Sequence, residues 1–331
     1  MSFTVAKPGQ TAAMNVSEAQ GAFVEKPFGK ALNEVGRERP EIVALTADLG
    51  KYTDLDIFGH EFPSRYFQTG MAEQNLVGIA AGLAHTGFVP FATTYCVFAT
   101  RRAYDFIAID IAYARANVKI IAGLPGLTTG YGATHQGIDD LALMRALPGM
   151  VVIDPCDATE ISQAVVAIAA YTGPVYMRLL RGKVPQILDP AKHRFEIGKA
   201  FPLRPGKDLT LVSTGLMTGR ALEAASALAA EGLNAGVLHV PTLKPLDEAA
   251  ILHAAKETGA FLTLENHTVI GGLGSSVADT LCLHGMAIRM AKVGVQDCFV
   301  ECGSVDYLAD KHGLSTRRIV EAARALVRKS E

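Results

Sequence analysis

The sequence predicts an α/β fold built on parallel sheets and divided into two domains. Three observations carry this. Apolar runs of strand length are continuous rather than alternating, as strands buried on both faces are. Helical periods separate them. A Pro- and charge-rich stretch at 184–207 divides one such series from a second. With 331 residues the chain is long enough for about two domains.

Residues 1–21 are polar and alanine-rich without a clear period, and read as an N-terminal arm. From Phe28 a helical pattern leads into the apolar run Glu41-Ile-Val-Ala-Leu-Thr46. Strand-like runs recur at Val118-Lys-Ile-Ile-Ala122, Met150-Val-Val-Ile-Asp154 and Pro174-Val-Tyr-Met-Arg178-Leu179. Between the last two, Asp157-Ala-Thr-Glu160 has the spacing of a capping box at a helix start. After the break come Leu209-Thr-Leu-Val-Ser213, a helix over about 218–230, Ala235-Gly-Val-Leu-His-Val240, a helix over 247–258, and Ala260-Phe-Leu-Thr-Leu-Glu265. The expected organisation is therefore an arm at 1–21, one domain over 22–190 and a second over 191–331.

Composition excludes several classes. Hydrophobic residues at 49% and charged residues at 19% fit a packed globular chain. A net charge of -2 gives no footprint for nucleic acid. Apolar runs are broken well before the ~18 residues a spanning helix needs, and the first residues lack a signal core. No membrane association and a cytoplasmic location are expected. The five cysteines are scattered and lack metal-ligand spacing, so buried free thiols are expected and no metal site.

The segment Gln68-Thr-Gly-Met-Ala-Glu73-Gln-Asn-Leu76-Val-Gly-Ile-Ala-Ala-Gly-Leu83 is the most informative. Glu73 stands in the first turn of a helix whose Leu76, Ile79, Ala80 and Leu83 form an apolar stripe. Gly78 and Gly82 clear an adjoining strip for close contact with a helix or ligand. A carboxylate at the edge of such a surface is partly desolvated, a setting that suits proton exchange. A helix with an N-terminal Glu complementing its dipole gives the same pattern. Three further stretches stand out: Thr46-Ala-Asp48-Leu; Gly130-Tyr-Gly-Ala-Thr134-His135-Gln136 followed by Asp139-Asp-Leu-Ala-Leu-Met-Arg145-Ala-Leu-Pro148; and Leu264-Glu265-Asn-His267-Thr-Val-Ile-Gly-Gly272.

Together, in this order and spacing, the four stretches resemble the thiamine diphosphate-dependent transketolases over roughly residues 22 to 325. The resemblance implies a thiamine diphosphate-binding pyrimidine-domain fold with a parallel sheet, followed by a transketolase-type three-layer α/β/α C-terminal domain. It assigns Glu73 the carboxyl that bonds pyrimidine N1′ and activates the cofactor. It places Tyr95 and Phe98 at the ring, where i, i+3 spacing would put both on one helical face, though aromatics so spaced are often plain core. A third family aromatic is replaced by Arg101, which adds a cation at that wall. His135, at the end of a loop with Gly123, Gly126, Gly130 and Gly132, corresponds to the histidine beside the reacting carbonyl and substrate hydroxyls; a surface histidine is the plainer reading. Asp48 corresponds to a group beside cofactor and substrate, or else to a cap. Arg178 and Arg181 would bind substrate, Arg181 matching the sugar-phosphate arginine; guanidinium groups suit phosphate, but surface salt bridges are equally open. Gly123 and Tyr131 depart from a His and an Asp common in the family, which leaves substrate length and phosphate recognition unassigned. Glu265-Asn-His267 is read as structural.

No Gly-Asp-Gly segment of the kind that carries Mg²⁺ for the cofactor's diphosphate occurs, and the chain is about half a one-chain transketolase. The resemblance therefore implies the C-terminal (beta-type) subunit of a split enzyme. Mg²⁺ and its ligands would lie on an N-terminal partner subunit in an α2β2 assembly with self-dimerisation, and the helix over 73–87 would be the contact surface. The implied reaction moves a two-carbon ketol unit from a ketose (phosphate) to an aldose. The beta subunit of a 2-oxo acid dehydrogenase, a deoxyxylulose-phosphate-synthase-like enzyme, and a non-catalytic stabilising subunit are the alternatives.

Overall fold

The computed structural model describes residues 22–328; the arm expected at 1–21 lies outside the described residues. Fourteen strands are present among them: β1 Phe23–Glu25, β2 Ile42–Thr46, β3 Tyr66–Gln68, β4 Val89–Tyr95, β5 Lys119–Gly123, β6 Val151–Ile153, β7 Val175–Leu179, β8 Lys183–Pro185, β9 Phe201–Arg204, β10 Leu209–Ser213, β11 Ala235–His239, β12 Thr242–Lys244, β13 Ala260–Thr268 and β14 Arg289–Val295. Seven form one sheet in the order β12-β6-β7-β5-β4-β2-β3, and five form a second, β14-β13-β10-β11-β9. All pairings in the larger sheet are parallel except β12 with β6. In the smaller sheet only β9 is antiparallel. The predicted parallel α/β architecture is the observed one.

The continuous apolar runs are where double burial was expected. Every residue of β2, β4, β5 and β7 is buried. On one face of the larger sheet, the helices Pro27–Glu38 and Ala158–Ala170 pack on each other and on Ile42, Phe91, Ile121 and Met177. On the other face, Leu76, Val77 and Ala80 of the helix Glu73–His85 join Ala92, Ile120 and Leu141. The cap expected at Asp157 forms, with Glu160 N–H donating to Asp157 Oδ1 at 2.8 Å, while the Glu160 side chain reaches one residue further back and accepts from Cys156 N–H at 2.8 Å.

The two halves of the chain are stitched together by polar groups. β12 comes from the second half yet pairs with β6. Leu127 N–H donates to Asn266 Oδ1 at 2.9 Å, and Asn266 Nδ2 to the Pro125 carbonyl at 3.1 Å. The stretch Glu265-Asn-His267 thus sits at this seam. Glu160 binds His239 Nε2 at 2.7 Å and lies 3.3 Å from His193 Nε2, all fully buried. Cys156 completes a cluster of possible metal ligands with Glu160 and His239. Glu160 is already committed to the helix cap and to His239, so the group is accounted for as a seam. Burial alone would raise the Glu160 carboxyl, but the two histidines outweigh it and hold it at about 2. The expectation of buried thiols holds only for Cys96 and Cys156; Cys282, Cys298 and Cys302 are exposed, and all five are free. Among the described residues no helix is long and apolar enough to cross a membrane.

Candidate functional site

The site collects at the C-terminal ends of β2, β4, β5 and β7, the edge where parallel sheets expose loops and helix starts. The helix Glu73–His85 starts at Glu73 itself. Its buried face is Glu73, Leu76, Val77, Ala80 and Ala81, one position displaced from the expected stripe. Ile79 is more than a third exposed, because the helix turns its Val77–Ala81 side to the sheet. A Cβ at Gly78 or Gly82 would meet nothing within 4 Å among the described residues, so none of them covers that strip.

Glu73 is 3% exposed, and its Oε1 accepts from Arg102 Nη1 at 3.1 Å. No described residue bonds Oε2. Tyr95 closes β4 and Phe98 lies in the first turn of the helix Cys96–Phe106 that follows. The expected single helical face is therefore a strand end plus a helix turn, yet the rings meet, with centroids 5.8 Å apart. His135 extends this wall, its ring edge-on to Phe98 at 5.2 Å and to Tyr131 at 5.5 Å. Thr134 Oγ1 bonds His135 Nδ1 at 2.9 Å. Burial pushes the Tyr95 phenol up, while Arg181 opposes the shift. Arg181 lies 6.0 Å over the Tyr52 ring, and its buried Nε has no hydrogen-bond partner. Gly123, at the end of β5, is in register with Tyr95.

Asp48 does not end β2 but follows it by two residues, exposed and in a left-handed conformation, φ 58°. A non-glycine residue held there is strained, a feature that collects at functional loops. Gln68 fixes it: Asp48 N–H donates to Gln68 Oε1 at 2.7 Å, and Gln68 Nε2 to Asp48 Oδ1 at 3.2 Å.

Three expectations are corrected. Arg178 is not at the site surface. It lies inside β7, 1% exposed, paired with Asp140 at 2.5 Å and Asp154 at 3.3 Å and donating also to the Asn266 and Gly137 carbonyls. A guanidinium so saturated has no donor for substrate. Arg101 turns away from Glu73: its Nε binds Asp139 at 3.0 Å and its Nη1 the Ala133 carbonyl at 3.1 Å. A glycine-rich loop of this kind can bring backbone close to a ligand, but Gly126 and Gly130 instead admit residues of the second half. A Cβ on Gly130 would strike the Gly303 carbonyl, and one on Gly126 would strike Asn266. The helix Cys96–Phe106 also supplies a residue that sequence reasoning passed over, Arg102, which carried no motif or period of its own.

Both halves of the chain are similar to known proteins. The pyrimidine binding domain of transketolase matches residues 22–186, and the transketolase C-terminal domain matches residues 198–319. A transketolase family protein of Sinorhizobium fredii is 54% identical over 298 residues, covering 89% of this chain and 86% of its own. This chain belongs to the transketolase family. A 6-deoxy-6-sulfo-D-fructose transketolase subunit of a Clostridium species is 44% identical, covering 88% of this chain and 90% of its own. Among solved structures, one described as a split gene transketolase, inactive beta4 tetramer, has a TM-score of 0.85 and 47% identity, covering 91% of this chain and 97% of its own.

Enzymes of this family use thiamine diphosphate with a divalent metal. The residues present fit the pyrimidine end of that cofactor. A buried carboxylate keeps one oxygen free, and the arginine bonded to its other oxygen lies on the Phe98 ring. Neither the Gly-Asp-Gly ligand segment nor any other metal site at this edge is found among the described residues.

Proposed function

We propose that this chain is the C-terminal, beta-type subunit of a split transketolase, moving a two-carbon ketol unit between a ketose donor and an aldose acceptor. The observation that carries this reading is the free oxygen of buried Glu73, joined through Arg102 to the Phe98 ring of the Tyr95–Phe98 pair. When bound, thiamine diphosphate supplies the nucleophilic carbon and the electron sink for the cleaved bond. Glu73 holds a proton at the pyrimidine nitrogen, and Tyr95 and Phe98 stack the ring and exclude water. His135 faces the reacting carbonyl and its hydroxyls as proton donor or acceptor. Arg181, with its unpaired Nε, takes the anionic end of the sugar. Asp48, held by Gln68, borders cofactor and substrate.

The diphosphate and Mg²⁺ belong to an N-terminal partner subunit with a Gly-Asp-Gly segment, in a cytoplasmic α2β2 complex. The open strip at Gly78 and Gly82 supports a helix contact there. The split-gene neighbour, an inactive tetramer of beta chains, fits a subunit that is idle alone. Reconstitution tests the proposal. The chain alone should show no turnover, and addition of the partner should give ketol transfer dependent on both cofactor and Mg²⁺. Transfer by the chain alone would refute it. Acyl transfer from pyruvate without ketose activity would refute it in favour of a dehydrogenase-type or synthase-type subunit.

A further inference from the structure

Arg101 and Arg102 are neighbours on one helix, but a rotation of about 100° per residue sends them to different places. Arg101 ties down Asp139 and the Ala133 carbonyl. Arg102 joins the two halves of the pyrimidine wall. Its Nη1 donates to Glu73 Oε1, and its guanidinium carbon lies 4.0 Å from the Phe98 ring centroid. Phe98 and Arg102 are four residues apart on the helix, so the stacking contact is built into the backbone.

The pair is unlike an ordinary surface salt bridge, in which both partners are wet and neither constrains the other. Glu73 is almost wholly enclosed, while the Arg102 side chain is half exposed. Arg102 supplies the one hydrogen bond found to the Glu73 carboxylate among the described residues. A planar guanidinium can lie flat on a ring and donate from its edge at once, a geometry an ammonium lacks.

We propose that Arg102 is a positioning residue. Resting on the thiamine reading above, it clamps Oε1 so that Glu73 keeps one rotamer and leaves Oε2 for the pyrimidine nitrogen. It also holds Phe98 in place as the stacking surface. The contribution is geometric, and a misplacement of about 1 Å at such a group can cost roughly 100-fold.

The test uses the complex of this chain with its diphosphate-binding partner, and compares Arg102→Ala, Arg102→Lys and Glu73→Gln. Cofactor affinity is read by calorimetry, the bound pyrimidine by near-ultraviolet circular dichroism, and kcat and sugar KM by turnover. Arg102→Ala should weaken cofactor affinity and kcat by about 10- to 100-fold with little change in sugar KM. Millimolar guanidinium should restore part of both in Arg102→Ala and none in Glu73→Gln, and Arg102→Lys should fall between. Wild-type behaviour of Arg102→Ala beside an inactive Glu73→Gln would overturn the positioning role alone. A loss in Arg102→Ala that tracks a lowered melting temperature and ignores guanidinium would also overturn it. Wild-type behaviour of Glu73→Gln would bring down the thiamine reading itself.

Discussion

Two arginine–carboxylate groupings in this molecule use the same chemistry in opposite surroundings. Around Arg178 every guanidinium nitrogen is used, both carboxylates are buried, and Tyr176 adds a further donor to Asp140 at 2.7 Å. Around Arg102 only one nitrogen is used, half the side chain is in water, and the carboxylate keeps an oxygen free. The first arrangement is closed and can only hold the fold. The second is incomplete, and incompleteness at a buried acid is what a ligand can use. The sequence pattern pointed to Arg178 as a binding group and passed over Arg102, so hydrogen-bond saturation, not residue type, separates the two.

The sharpest way to break this contrast is to neutralise the acid of the open grouping. Glu73→Gln in the reconstituted complex should lower turnover by about 10²–10⁴ while leaving thermal stability unchanged. Steady-state kinetics beside a melting curve reads both. Activity near wild type would put Glu73 with the structural carboxylates and leave only a helix-dipole role for it.

Next in size is the closed group. Arg178→Met leaves two buried aspartates without their cation, which should destabilise the chain by about 3–5 kcal/mol. Denaturant unfolding measures it. An intact midpoint together with a raised KM for a phosphorylated sugar would restore Arg178 to the substrate site.

The same contrast explains what could be read from the sequence. Strands buried on both faces announce themselves as unbroken apolar runs, so Ile42–Thr46, Lys119–Gly123 and Val175–Leu179 were legible without coordinates. The helix cap at Asp157 is local chemistry and was equally legible. What failed depends on long-range partners. Arg178 lies at the end of an apolar run whether its guanidinium points to solvent or to Asp140, 38 residues away. The glycines before His135 are needed for close approach in any case, but only the tertiary fold reveals that Gly303 and Asn266 are what approach. β12 crosses from the second half to the first sheet through three residues, too short a run to carry a pattern. Arg102 gained meaning only once the chain brought Glu73 to it from 29 residues upstream.

The smallest effect concerns pH and, within this contrast, falls on the closed group. Burial pushes Asp154 up to about 6, with Arg178 pulling against it. Burial would also raise Asp140, but Arg178 outweighs it and holds that carboxyl well below the usual range. Between pH ~4 and ~6 the folded chain therefore binds a proton at Asp154 that the unfolded chain has released, whereas Asp140 is ionised in both. Stability from Asp154 is fully present below its unfolded value of 3.8 and is lost as pH rises through about 6, on the order of 3 kcal/mol across the window. Asp154→Asn imitates the protonated form at every pH. It should make the falling slope between pH 4 and 6 shallower in urea-unfolding series, leaving the shares of Asp157 and Glu265, which burial also raises, and leaving in place the acid loss below pH 4, to which Asp140 and Glu160 contribute. An unchanged slope in the variant would mean that Asp154 stays ionised beside Arg178 throughout. The closed group would then be a fully charged triad, and its contrast with the open pair at Glu73 would rest on solvent access alone.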